Sequence, residues 1–516
     1  MPRQEKPERA ERPSHRTPGG RFRHLEGSVE ALQAEMAAGR LTARRLAAAY
    51  ITRIGALDRA GPRINSIIEL NPQALEIASA LDRERKADGA RGPLHGIPVL
   101  LKDNIATGDR MSTSAGSLAL DGITATRDAH LVARLRDAGA VILGKTNLSE
   151  WANIRSPRST SGWSARGGLT RNPYALDRNT SGSSSGSAAA IAANLAVVSV
   201  GTETDGSIVS PASINGLVGL KPTVGLVSRD GVIPISHTQD TPGPMTRSVA
   251  DAAVALAAIA GPDSRDGATA DAKPADYRSA LDPDRLRGAR LGVVRAQFGS
   301  NPGVDAVIET ALKTLRARGA VLVDPVDLDI GESAQEAELE VLLHELKASL
   351  PAWLAEFAPR APISTLTDLI AWNARNAERE MPWFGQELFE QAQSRGDLGE
   401  PAYLEALASC RRAAREEGID RVLAEHDLDA LLAPTGGPAW LSDLVNGDHY
   451  GGSFSTPAAI AGYPHLTVPA GLVHGLPVGL SFAGPPWSEP LLLGLGYAYE
   501  QATRARRAPT FAPSLP

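Results

Sequence analysis

The chain contains a single cysteine, Cys410. That excludes an intrachain disulfide, and with no Cys/His cluster the sequence offers no structural zinc site. No apolar run approaches the ~20 residues needed to cross a bilayer. The net charge of −6 is spread without a block of one sign, which argues against a nucleic-acid or membrane partner. None of the ten histidines lies in a recognisable motif. Residues 1–24 are rich in Arg, Glu and Pro and lack the apolar core of a secretory signal. A disordered tail over 1–24 and a cytoplasmic protein are therefore expected. There are no internal repeats. What is present is ordinary for a globular protein, with 42% hydrophobic and 22% charged residues. Its 516 residues suffice for several average domains or one large α/β domain.

Apolar positions at helical spacing from Val29 to Leu57, broken at Gly39-Arg40, predict two helices. Short apolar runs bounded by turn residues predict buried strands at 64–70, 97–101, 140–143 and 196–200. Helical patterns lie between them at 72–86 and 128–138. Ser248, with Asp251 three residues on, predicts a capped helix to Ala260. Further strands are expected at 290–294, 320–323, 428–434 and 465–469, with helices over 305–318 and 490–504. Residues 332–424 read as mostly helical. Strand, helix, strand is the rhythm of a layered α/β domain, whose sites gather beyond the strand ends.

The stretch Thr180-Ser181-Gly182-Ser183-Ser184-Ser185-Gly186-Ser187 then stands out, because it runs directly into Ala188-Ala189-Ala190-Ile191. Hydroxyls and free N–H groups at a helix start favour negative charge. A Ser/Gly linker is the bland alternative. Gly182-Ser183-Ser184-Ser185-Gly186 matches the G-x-S-x-G elbow, but no buried strand precedes it. Gly139 to Thr146 matches a phosphate-loop expression, but its middle is an apolar strand rather than a glycine-rich loop. The third reading joins distant segments. Lys102 ends a buried strand, where an ammonium is costly unless paired or neutral. A neutral lysine can activate a hydroxyl without histidine, and Ser207 lies in a glycine-containing turn able to hold an oxyanion.

At this point several ordered motifs coincide. Gly96 to Asn104, Gly144-Lys145-Thr146-Asn147 with Glu150, Ser181 to Ala189, Gly201 to Pro211, Gly216 to Thr223 and Gly243-Pro244-Met245 resemble those of the amidase signature family. So do Pro457-Ala458 and Gly475 to Leu480, and the likeness covers roughly residues 28–505. The resemblance implies a single layered α/β/α domain over 25–510, with a central mixed sheet covered by helices. Its parts would be a core at 60–260, a helical insertion at about 332–424, and C-terminal strands and a helix at 425–505. It also implies a serine–cis-serine–lysine triad, which falls on Ser207, Ser183 and Lys102. Ser207 would be the nucleophile, Ser183 the proton relay and Lys102 the general base. The N–H groups of Thr204, Asp205, Gly206 and Ser207 would form the oxyanion hole. Ser184, Asp205 and Met111 are candidate substrate contacts.

Three departures from the family pattern stand out. Glu203 replaces an aspartate, Asp205 a glycine, and Val209 an arginine, which leaves Glu203 without its usual partner. Met111 to Ser117 and Met381 to Gln386 resemble the branch containing bacterial peptide amidases. The expected activity is cofactor-free and metal-free hydrolysis of C-terminal carboxamides of peptides, or of small amides, by a monomer or homodimer. The alternatives are an aryl-acylamide, ester or carbamate hydrolase, the A-type subunit of a glutamine-dependent amidotransferase, or a catalytically dead binding protein. Trp163, Trp383 and Phe384 are expected to be core aromatics.

Overall fold

The computed structural model describes residues 22–515. Eleven strands among them form one sheet. In chain order these are β1 (Ile67–Leu70), β2 (Pro98–Lys102), β3 (Val141–Thr146), β4 (Val198–Glu203), β5 (Val218–Lys221) and β6 (Thr241–Thr246). They continue with β7 (Arg290–Val294), β8 (Val321–Val326), β9 (Ala430–Pro434), β10 (His465–Val473) and β11 (Leu476–Ala483). The spatial order is β1-β3-β2-β4-β6-β5-β10-β11-β9-β7-β8. The trio β3, β2, β4 is parallel, and so is β9, β7, β8. The strands between and at the β1 edge are antiparallel. The sheet is mixed and covered by helices, an α/β fold.

The continuous apolar runs form strands because parallel strands are covered on both faces. Val99, Leu100, Leu101, Val141, Ile142 and Leu143 are all buried. The N-terminal helices Val29–Ala37 and Ala43–Ile54 start at Ser28 and Thr42, whose hydroxyls accept from Ala31 N and Arg45 N. Ser248 caps Val249–Ile259 in the expected way. The Asp251 carboxylate, however, accepts from Val29 N at 2.9 Å and ties this helix to the first one.

β5, β6 and β11 are absent from the sequence reading, because each is interrupted by Gly or Pro. β6 carries Pro242 and Pro244 in mid-sheet, where a missing N–H ordinarily breaks a ladder. Here β5 pairs with β6 only at Met245 and Thr246, so on that side there is no ladder for the prolines to break.

Residues 1–21, most of the expected tail, lie outside the described residues. The expectation is corrected at its end. The Phe22 ring meets Tyr50 edge-on at 5.2 Å, with the Arg53 guanidinium 4.8 Å above it, so residues 22–24 belong to the packed body. Between β8 and β9 the chain is helical, from Glu332–Phe357 to Asp420–Glu425. Among the described residues no helix is long and apolar enough to cross a membrane.

Candidate active site

β2 and β4 run parallel with Leu101 opposite Val200, so they end together at one rim of the sheet. Lys102 closes β2 and Glu203 closes β4, and the turn 204–207 follows directly. The Ser/Gly stretch meets the same rim. Its helix, Ser185–Ala192, is buried along its whole length and made of small residues apart from Ile191, which lets it lie close to the sheet. A Cβ at Gly186 would collide with the backbone of Ser66 and Asn147. Ser183 and Ser184 sit just ahead of this helix, and the Gly182–Ser183 peptide is cis. Ser149 N donates to Ser183 O at 3.1 Å, and Ser184 N donates to Ser207 O at 3.2 Å. The two serine-bearing segments are thus joined backbone to backbone.

Ser183 Oγ lies 2.7 Å from Lys102 Nζ and 2.9 Å from Ser207 Oγ. Lys102 and Ser183 have no exposed surface, whereas Ser207 is 8% exposed and alone of the three reaches solvent. Lys102 Nζ also meets Thr202 O at 3.2 Å and Thr202 Oγ1 at 3.0 Å. Those two acceptors use both N–H groups of a neutral amine and leave its lone pair facing Ser183. Burial pushes the Lys102 amine down to about 7, against the opposing pull of the Asp240 and Glu203 carboxylates. A neutral base therefore exists near physiological pH.

Ser207 is followed by the helix Val209–Ile214, and the Glu203 carboxylate caps its start. Glu203 Oε2 accepts from Ile208 N at 2.7 Å and from Val209 N at 3.0 Å. Gly206 takes a φ of +74°, and a Cβ there would press on Ser455 Oγ at 2.9 Å, so only glycine fits comfortably. Among the described residues, the N–H groups of Asp205, Gly206 and Ser207 donate to no protein acceptor. The cation that Val209 does not supply comes instead from Lys221 on β5. This lysine is fully buried, and its charge opposes the upward push that burial gives Glu203.

The remaining candidates are less central. Asp205 directs Oδ2 to Thr456 Oγ1 at 2.7 Å, while its Oδ1 has no partner among the described residues. Ser184 and Met111 have no exposed surface. Ser184 Oγ donates to Thr202 O at 3.0 Å and so braces the strand end that holds Lys102. Met111 is packed in the hydrophobic core. Trp163 and Phe384 are buried and meet edge-on at 5.2 Å. Trp383, expected in the core, is 45% exposed. Glu150 pairs with Arg155 in a buried bridge, remote in kind from the lysine–serine chain.

Sequence reasoning gave no role to Asn104, Thr202 or Asp240. Asn104 Nδ2 donates to Thr202 Oγ1 at 3.0 Å. Asp240 accepts from Thr204 Oγ1 at 2.6 Å and from Ile235 N and Ser236 N at 2.8 and 2.9 Å. Polar residues flanking a buried strand end were the available signal. No group of three or more His, Cys, Asp or Glu side chains among the described residues is placed to hold a metal.

The family model described as Amidase matches residues 45–493. The chain belongs to the amidase signature family. It is an amidase, a hydrolase of carbon–nitrogen bonds. The native peptide amidase of Stenotrophomonas maltophilia is 56% identical and superposes with a TM-score of 0.92, covering 95% of this chain and 100% of that one. An Arabidopsis thaliana protein named as a probable amidase is 42% identical over 503 residues, which is 95% of this amidase and 92% of the relative. A Chloroflexus aurantiacus protein, named as the A-type subunit of glutamyl-tRNA(Gln) amidotransferase, is 37% identical, covering 92% of this chain and 96% of its own.

Proposed function

We propose that this amidase hydrolyses C-terminal carboxamides of peptides to the free acid and ammonia, through an acyl-enzyme on Ser207. The observation that carries the reading is the continuous Lys102–Ser183–Ser207 chain, 2.7 and 2.9 Å per link, with its lysine buried. Ser207 Oγ attacks the amide carbon, and its proton passes through Ser183 to neutral Lys102. The negative charge on the carbonyl oxygen is held by the N–H groups of residues 204–207. The proton returns through Ser183 to the leaving nitrogen, the C–N bond breaks and ammonia departs. Water then attacks the ester by the same relay, giving the acid and restoring Ser207. No cofactor enters these steps.

The peptide preference is supported by the 56% identity to the Stenotrophomonas maltophilia peptide amidase. The likeness to a component of an amidotransferase supports a second reading, in which the same ammonia is delivered to a partner. Mass spectrometry of an amidated peptide incubated with the isolated chain separates the two. Conversion to the acid by wild type, and none by Ser207→Ala, is the expected result. Cleavage of anilides or carbamates alone would keep the triad and discard the peptide substrate. Undiminished activity in Ser207→Ala would discard the nucleophile.

A further inference from the structure

Loop 440–455 crosses from one serine-bearing segment to the other. At its start Asn179 N donates to Trp440 O at 2.8 Å, four residues ahead of Ser183. The Asp448 carboxylate accepts from Ser161 N at 2.8 Å and Asn179 Nδ2 at 3.1 Å. At its end a Cβ on Gly206 would lie 3.2 Å from Ser453 Oγ, and the adjoining Thr456 bonds Asp205. On this loop the Tyr450 ring stands edge-on to Trp440 at 5.4 Å and is 50% exposed. Burial pushes its hydroxyl above the usual tyrosine range, and the charges of Asp205 and Glu203 push the same way. Ser210 Oγ lies 2.8 Å from Ser181 Oγ and links the two serine-bearing segments that the loop spans. Leu441 and Val445 of the same loop are 55% and 82% exposed. Large apolar side chains held open on a loop that touches the turn carrying the nucleophile have no packing reason to be there.

We propose that loop 440–455 is the acyl-side wall of the cleft, and that the Tyr450 ring seats an apolar side chain on the residue bearing the carboxamide. The proposal rests on the amide-hydrolysing reading above and names its substrate class. The wall is aromatic and aliphatic, and carboxylates neighbour it: Asp443 and Asp448 on the loop itself, and Asp205 bonded to the adjoining Thr456. An aliphatic or aromatic residue gains contact there, glycine gains none, and an acidic residue meets like charge.

The test measures ammonia release from N-acetyl-alanyl-Xaa amides in which Xaa is leucine, glycine or glutamate. The leucine amide is expected to exceed the glycine amide in kcat/KM by about tenfold or more, with glutamate last. Tyr450→Ala is expected to bring the leucine-to-glycine ratio down to about threefold or less, and Tyr450→Phe to preserve it. The ratio does not depend on how much of a variant is folded. An unchanged ratio in Tyr450→Ala, or a wild type that takes glutamate as well as leucine, overturns the proposal. Turnover of the glycine amide without a leucine preference overturns it alone. No turnover of any amide overturns the function as well.

Discussion

Lys102 and Lys145 are neighbours in the sheet, with Leu101 opposite Lys145 and Lys102 opposite Thr146. Both are fully buried, and burial pushes both amines down, to about 7 and about 8. Their surroundings diverge. Lys145 Nζ ends on Ile105 O at 2.6 Å and Thr113 Oγ1 at 2.9 Å, with Asp103, Asp109 and Glu69 pulling its amine back up. Lys102 touches Ser183, whose hydroxyl continues to the partly exposed Ser207. The desolvation is shared, so it does not by itself make a base. What distinguishes Lys102 is a hydroxyl chain that leads to solvent. Lys145 has a closed set of partners and serves to offset the charge of the carboxylates around it, of which Asp103 is buried.

The comparison breaks most sharply by substitution. Ser207→Ala and Lys102→Met are expected to lower kcat by about 10²–10⁴-fold or more while leaving a folded protein. Lys145→Met is expected to act on stability instead, because it leaves Ile105 O and Thr113 Oγ1 without their buried donor and leaves Asp103 with Arg166 as its remaining cation. The cost is about 1–3 kcal/mol, with near-normal turnover per folded molecule. Urea midpoints beside active-site titration would separate the two. A Lys145→Met enzyme that is stable but inactive would erase the distinction.

The pH profile sharpens it further. Lys102 must be neutral to accept a proton, so kcat/KM should rise with pH through about 7. Asp240 raises that value, so Asp240→Asn should move the acid limb to lower pH. Lys145 variants should leave the limb in place. An acid limb that stays put in Asp240→Asn would mean another group sets it.

Legibility from sequence follows the same division. β2, β3 and β4 are readable because unbroken apolar runs have few alternatives, and Lys102 stands out for ending one. The Ser183 and Ser207 segments are readable as motifs. β6 is not, since Thr-Pro-Gly-Pro-Met-Thr has strand geometry only because β4 and β5 impose it. Asp240, Lys221 and Tyr450 escaped because the sheet order and a loop from the far end of the chain bring them to the site. The burial of Met111 was not legible either, since a motif position says nothing about which way its side chain is packed. Phe22 was missed because one aromatic in a polar tail gives no periodicity.

A third buried lysine gives the smallest and most discriminating effect. Lys221 faces Glu203, Glu489 and Asp205, and its own charge disfavours protonation of the fully buried His465. Burial pushes Lys221 down to about 8. Its charge supports the Glu203 carboxylate that caps the helix behind Ser207, so activity should fall as pH rises through about 8. Lys221→Arg keeps the charge at all these pH values and should remove that alkaline limb. Lys221→Met should lower kcat across the range with KM little changed, since Glu203 then clamps Ile208 and Val209 less firmly. If the alkaline limb persists in Lys221→Arg, the cation behind the nucleophile loop is a packing element like Lys145. If it disappears, buried lysines in this fold divide into three kinds: one that moves a proton, one that orients the loop doing so, and one that only neutralises.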